Sequence, residues 1–368
     1  MRKQKLLAIV LCAALVSGIL SGCGNQEAEP ANDQAAAEAA ESAEEKAPED
    51  AIPEDTAPEE EAGTEEVQMP EGFDKTNVDW IVPAAAGSAI DLVSRALVDA
   101  LGKDLGANIV VENIAGASQT IGASEFAIRE ADGHNLLTIA NACYFTQPLA
   151  NELTYDIADW RPICNLAPPS SCVVVVKSGS ELGDKEKWFE KLQSGEFTYG
   201  FANSISMAHL AALQMLESLE AEAGTPIVYD GSPELTAAVL SGEIDFAVME
   251  DSVAVSYVEN GEMVPVIACT NEVHYLFPDT AYLGEYIENF VPINGIKCLA
   301  VRKDTPEEEV SWLKDRMNAA LASESYQSYL ESNGYSRMEI MDEEELAAWL
   351  EEMLAIHEEV MRGAGLID

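Results

Sequence analysis

Basic side chains are scarce in this 368-residue chain: 20 Lys and Arg stand against 66 Asp and Glu, a formal net charge of -46. That excludes nucleic acid as a partner, because affinity for a phosphate backbone needs clustered Lys and Arg. Histidine is rarer still, with four residues scattered singly, and no CxxC occurs, so no metal site and no cofactor are expected. The sequence also lacks GxSxG, HExxH and an SxxK with partners. An exported hydrolase, the enzyme alternative, is left without a nucleophile or its base.

Cysteine is sparse beyond residue 70: Cys143, Cys164, Cys172, Cys269 and Cys298. An odd count cannot pair completely, and most lie in apolar runs such as Cys172 to Val176. Free thiols packed as small hydrophobes are expected.

At the N-terminus, Arg2, Lys3 and Lys5 precede an apolar run, Leu6 to Ile19, that is too short to span a bilayer comfortably. Leu20-Ser21-Gly22-Cys23 closes it in the manner of a bacterial lipoprotein signal. Residues 1–22 are therefore expected to be removed and Cys23 lipidated, anchoring the protein at the outer face of the cytoplasmic membrane. Residues 23–70 carry sixteen acids, one base (Lys46) and no aromatic residue. Such a segment cannot bury a core and reads as a disordered tether with a reach of roughly 35–40 Å. Past it, sixteen bases still face fifty acids. An anionic ligand would therefore have to be held by local donors against the overall field.

Residues 71–368 alternate between periods of two and 3.6. Val78 to Val82 reads as a strand, Pro83 to Ser88 as a small-residue loop, and Asp91 to Leu101 as a helix. Strand 108–111, helix 120–130, a turn at Asp132-Gly133 and strand 136–139 follow. A second series opens with strand 172–176 and helix 185–192, then strand 198–201 and helix 207–219. It continues with a strand at Ile227, helix 233–240, strand 244–248, helix 251–258 and strand 264–268. Two α/β lobes with mostly parallel sheets are predicted. The tail is helical: Thr305-Pro306-Glu307-Glu308 has the form of an N-cap, an N1 proline and a capping-box acid, and Asp342 with Glu345 opens another helix. The stripe Leu346, Trp349, Leu350, Met353 and Ile356 is packing surface.

Two loops stand out chemically. Residues 83–91 place free backbone N–H groups and a helix N-terminus at the C-terminal edge of a strand, where open α/β sheets bind ligands and carboxylates are favoured. Asn203-Ser204-Ile205-Ser206 offers a second such terminus from the other lobe. Asp91 reads as a first-turn or capping acid that fixes its loop, with direct ligand contact as the alternative.

The string Val82-Pro83-Ala84-Ala85-Ala86-Gly87-Ser88-Ala89-Ile90-Asp91 resembles the VPFxxGGxxD loop of the substrate-binding proteins of tripartite tricarboxylate transporters, the Bug proteins. Val111-Glu112-Asn113, Gly116, Thr120 to Ala123 and Ala131-Asp132-Gly133 are similar to the family's VEN, GAGGTIGA and PDG series. Tyr155-Asp156, Tyr229 to Ser232 and Gly242 to Asp245 resemble its PYD, YKGS and GQVD motifs. The resemblance implies a type II periplasmic-binding-protein fold, two α/β lobes around a ligand cleft with a helical C-terminal return. By the family's pattern, lobe 1 comprises 71–170 and 291–368 and lobe 2 comprises 171–290. It also implies capture rather than catalysis, by a monomer that delivers a small organic carboxylate to a permease of one large and one small integral subunit. A ligand-presenting sensor for a membrane kinase is the alternative that sequence does not separate from transport.

The ligand-binding residues this implies are Ala84, Ala85, Gly87, Ser88, Ala89, Ile90 and Asp91 in the first loop, and Asn203, Ser204 and Ser206 in the second. Tyr144, Tyr229 and Met249 flank the cleft. His209, where the family reads T-S-S-H-L-A, either braces the cleft loop or packs within its helix; for the two tyrosines plain core packing is the alternative. Departures bear on specificity: the family's Phe is Ala84, its second Gly is Ser88, its Ser/Thr pair is Ala89-Ile90 and its YKGS lysine is Asp230. Ile205, Met207, Ala208 and Met249 replace further polar positions. A cleft short of Lys and Arg, with added apolar surface, favours an aromatic or branched monoacid over di- and tricarboxylates.

Overall fold

A computed structural model describes residues 67–222 and 224–368. The signal segment, Cys23 and all but the last four residues of the expected tether lie outside the described residues. The packed body begins slightly ahead of the expected boundary. Val67 is apolar enough to pack on the first core, and Pro70 is buried.

The first sheet is built from β1 (Val78–Val82), β2 (Ile109–Asn113), β3 (Asn135–Ala140), β4 (Trp160–Asn165) and a late strand, β11 (Lys297–Arg302), in the order β2-β1-β3-β11-β4. Its helices are α1 (Ala89–Leu101), α2 (Thr120–Ala127) and the short α3 (Gln147–Ala150). The second sheet takes β5 (Cys172–Lys177), β6 (Thr198–Ala202), β7 (Thr225–Tyr229), β8 (Phe246–Glu250), β9 (Met263–Ala268) and the two-residue β10 (Ala281–Tyr282), in the order β10-β9-β5-β8-β6-β7. Its helices are α4 (Lys185–Ser194), α5 (Met207–Ser218), α6 (Ser232–Ser241) and α7 (Asp251–Glu259). The chain ends in α8 (Glu307–Leu321), α9 (Glu324–Ser332) and α10 (Glu343–Gly363).

The two sheets follow one plan. In each, three parallel strands in the spatial order second, first, third are joined by a single reversed strand, β11 in one and β5 in the other. All other strands of each sheet share one direction, as the alternation of strands and helices predicted. The reversed strands are the first elements after the chain crosses between lobes, at 166–171 and 291–296. The crossings are paired: Ser170 N–H donates to Gly295 O at 3.1 Å and Gly295 N–H returns to Ser170 O at 2.7 Å.

Each sheet buries apolar side chains on both faces, with Trp80, Leu97 and Leu136 on one side of the first sheet and Ile81, Phe126 and Leu137 on the other. β5 is buried along its whole apolar run. The five cysteines are buried and unpaired, as expected, and burial pushes the thiols of Cys143, Cys164 and Cys269 up to about 12.

Strands β4 and β11 had no counterpart in the sequence reading, and two expectations need correction. The helix starting near residue 307 is not capped by Thr305: Pro306 occupies the N-cap with extended ψ, and the Thr305 hydroxyl is buried without a hydrogen-bond partner. Helix α10, expected to sit wholly with the first lobe, spans both cores. Leu346, Leu350 and Met353 pack beside the first sheet, and Val360 and Met361 beside the second.

Candidate functional site

Loops at the C-terminal edges of both sheets converge on one cavity of about 630 Å³ between the lobes. From the first lobe come Ser88, Ala89 and Ile90, Ser118 and Gln119, and residues 140–142 with Thr146 and Gln147. The second lobe supplies residues 202–208, Ser232, Leu235 and the run 248–250 with Val253. The crossings contribute Ser170, Gly295, Ile296 and Lys297.

The first loop is held by its own polar groups. Gly87 adopts a left-handed φ of 80°, where glycine carries no Cβ penalty, and turns its N–H onto Asp91 Oδ2 at 2.8 Å. Ser88 caps α1 by accepting the Asp91 N–H at 3.3 Å. Asp91, 1% exposed, also receives Arg95 Nε at 2.9 Å and Asn113 Nδ2 at 2.8 Å. Burial alone would raise its pKa, but the Gly87 amide, Arg95 and Asn113 outweigh that and hold the carboxyl below its ordinary value. The remaining first-turn amides of α1 have no acceptor within the helix, and Ala89 and Ile90 line the cavity.

The second loop repeats the device with other residues. Ser206 caps α5 by accepting the His209 N–H at 3.2 Å. His209 Nδ1 accepts the Ile205 N–H at 3.1 Å, and the ring stacks on Phe201 with centroids 4.1 Å apart. Burial lowers its pKa, which keeps Nδ1 available as an acceptor. Asn203 and Ile205 hold left-handed φ values of 61° and 56°. For a β-branched residue this is strain, which persists where the surrounding structure imposes it. A third loop does likewise before α2, where Ala117, Ser118 and Gln119 have φ of 45°, 50° and 74°.

The wall also carries charge. Burial opposes the charge on Lys297, but Tyr335, Glu250 and Asp251 outweigh it and raise its pKa. Burial raises the pKa of Glu250, with Lys297 acting against it. No group of three or more His, Cys, Asp or Glu side chains among the described residues is placed to hold a metal ion, and none of the described helices is long and apolar enough to cross a membrane.

A family model described as the tripartite tricarboxylate transporter family receptor matches residues 93–366. The chain belongs to this family. A curated relative, the UPF0065 protein in the gbd 5' region of Cupriavidus necator, is 26% identical over 264 residues, covering 70% of this chain and 78% of that protein. A TctC solute-binding protein from Polaromonas, solved without ligand, shares the fold with TM-score 0.67 at 22% identity over 78% of this chain and 98% of that one. MatC from Rhodopseudomonas palustris with bound malate gives 0.63 at 21% identity over 77% and 98%. An R. palustris protein with adipate gives 0.66 at 21% over 79% and 98%. The family consists of solute-binding receptors, and the two-lobe fold of this receptor is theirs.

Of the residues singled out in the sequence, Ser88, Ala89, Ile90, Asn203, Ser204, Ser206 and Met249 line the cavity of this receptor. Ala84, Ala85, Gly87, Asp91 and His209 stand behind it and shape its loops; the Ala84 carbonyl accepts Asn113 Nδ2 at 3.1 Å. Neither tyrosine lines the cavity. Tyr144 packs edge-on to Phe145 and beside Trp160, while Tyr229 donates to Glu243 at 3.3 Å and its carbonyl accepts the Asn203 N–H at 2.8 Å. Sequence reasoning passed over Ser118, Gln119, Asn141, Thr146, Glu250 and Lys297. The helix start at Thr120, after Gly116, was a usable signal for the first two. Lys297, the one Lys or Arg among the described residues lining the cavity, had none.

Proposed function

We propose that this receptor captures a small organic carboxylate between its lobes and delivers it to a membrane permease of one large and one small integral subunit. The observation that carries the reading is that the N-termini of α1 and α5, one from each lobe, open on the same cavity. Each helix N-terminus carries roughly half a positive charge and free N–H groups, so a carboxylate there engages both lobes and favours the closed state. Malate and adipate in two relatives of the same fold support a carboxylate as the solute class. Ile90, Ile205, Leu235, Met249 and Val253 give the cavity apolar surface for the rest of the solute. The lipobox ending at Cys23 supports anchoring at the outer face of the cytoplasmic membrane; Cys23→Ser should release the protein or leave it unprocessed.

A melting screen tests the binding reading. A ligand at about a hundredfold over its Kd stabilises the native state by roughly 2.7 kcal/mol. A clear shift with an organic acid is expected. Shifts with a sugar or a cation and none with any acid would overturn the reading.

A further inference from the structure

The cavity wall makes opposite chemical demands. Thr146 is 1% exposed, and its hydroxyl is buried with no hydrogen-bond partner in the described structure, although the residue lines the cavity. With the first-turn amides of α1 and α5, it is a group waiting for a polar ligand. Glu250, the last residue of β8, lines the same cavity, and among the described residues no hydrogen bond reaches its carboxylate. Its neighbour is the reverse case. Asp251 accepts from Ser171 N–H at 2.9 Å, Ser171 Oγ–H at 3.1 Å and Ser252 N–H at 2.6 Å, with His274 Nε2 at 3.2 Å.

The two neighbouring carboxylates are unequally served. The Leu276 N–H donates to His274 Nδ1, and His274 Nε2 is engaged by Ser171 and Asp251, so this ring serves Asp251 and not Glu250. Among the described residues, the cation beside these carboxylates is Lys297, whose Nζ lies 5.2 Å from the centre of the Tyr335 ring and which is shared between Glu250 and Asp251. Two carboxylates thus share one ammonium, and Glu250, at the N-cap of α7, is the one that no side-chain hydrogen bond engages among the described residues. Closing the lobes on a plain monocarboxylate would desolvate Glu250 further without a hydrogen-bond donor and bring another carboxylate to the site, both unfavourable. An ammonium on the same solute removes both costs.

We propose that the solute is a zwitterion, an amino acid with an apolar side chain, whose ammonium is held by Glu250 while its carboxylate takes the amides at the N-termini of α1 and α5. The inference rests on the carboxylate reading above and adds a second, cationic recognition point to it. Ile90, Leu235, Met249 and Val253 supply the surface for the side chain.

Calorimetry on the full chain with matched pairs tests it: leucine against 4-methylpentanoate, phenylalanine against 3-phenylpropanoate, with adipate and malate alongside. A charge-assisted hydrogen bond predicts that one of the amino acids binds at least about tenfold more tightly than its deaminated match and than either diacid. In Glu250→Gln, nearly isosteric, that advantage should collapse towards unity. Equal or tighter binding of the deaminated acid or a diacid overturns the proposal, as does an advantage that survives in the variant. If the variant fails to fold, the wild-type ratio still decides. Binding of neither acids nor amino acids would instead sink the carboxylate reading on which the proposal rests.

Discussion

Asp91 shows how one side chain carries a binding loop without touching the cavity. Its sequence position fitted a first-turn acid, and the structure gives its carboxylate three donors, the Gly87 backbone, Arg95 and Asn113. Asp91→Ala should orphan the Gly87 N–H and release Asn113, costing about 1–3 kcal/mol in urea denaturation and weakening solute binding by about tenfold or more. Because the folded pKa is depressed, the contribution is present above the ordinary value of 3.8 and is lost as pH falls through the folded value. Wild type and variant should therefore converge in strong acid. Wild-type affinity in Asp91→Ala at neutral pH would show that the loop is held by other groups. His209 belongs to the same class of residue, and the sequence had left open whether it braced or merely packed; it does both, through Nδ1 and through its stack on Phe201.

Helix starts were read with mixed success. The Asp342–Glu345 capping box forms in full, because it needs only four consecutive residues. Its neighbour Glu343 is paired by residues far away in sequence: Arg161 of β4 approaches at 2.7 Å and Lys314 of α8 at 2.6 Å. Hydrogen bonds from Arg161 lead the causes that lower its pKa to about 2. A depressed carboxylate pKa stabilises the fold above about 4.5 and loses that effect as pH falls towards 2. Glu343→Gln should cost about 1 kcal/mol near neutrality, discounted for partial exposure, with the difference from wild type vanishing at acid pH. A constant difference across a urea titration series from pH 7 to 2 would contradict this. β4 escaped notice for a local reason. Pro162 breaks the strand signal, and the strand survives because it lies at the sheet edge, opposite a register shift at Leu299/Ala300.

The two lobes are joined by paired crossings and by α10, which buries side chains in both cores. Gly295 sits where they meet: a Cβ there would lie 2.2 Å from Ser170 Oγ and 2.9 Å from Met207 Sδ. Gly295→Val should therefore push the crossings apart and disturb the start of α5, destabilising by about 1–3 kcal/mol and weakening solute binding. Small-angle scattering with and without ligand should show less closure than in wild type. An unchanged compaction on ligand addition would count against a hinge at this pair.

Local chemistry set down most of what this chain is. Apolar periodicity marked most strands and helices of both lobes, small-residue loops before helices marked the N-termini of α1 and α5, and charge balance argued against nucleic acid. These features act over a few residues, where spacing alone decides which groups can meet. The pairing of β11 between β3 and β4, the meeting of Ser170 with Gly295, and the placing of Glu250 and Lys297 on one wall join residues dozens to more than a hundred positions apart. No periodicity encodes such encounters, because they follow from how whole sheets stack and where the chain crosses between them. The sequence determined a two-lobed receptor with anion-favouring loops; only the tertiary structure decided which charges line the cavity between its lobes.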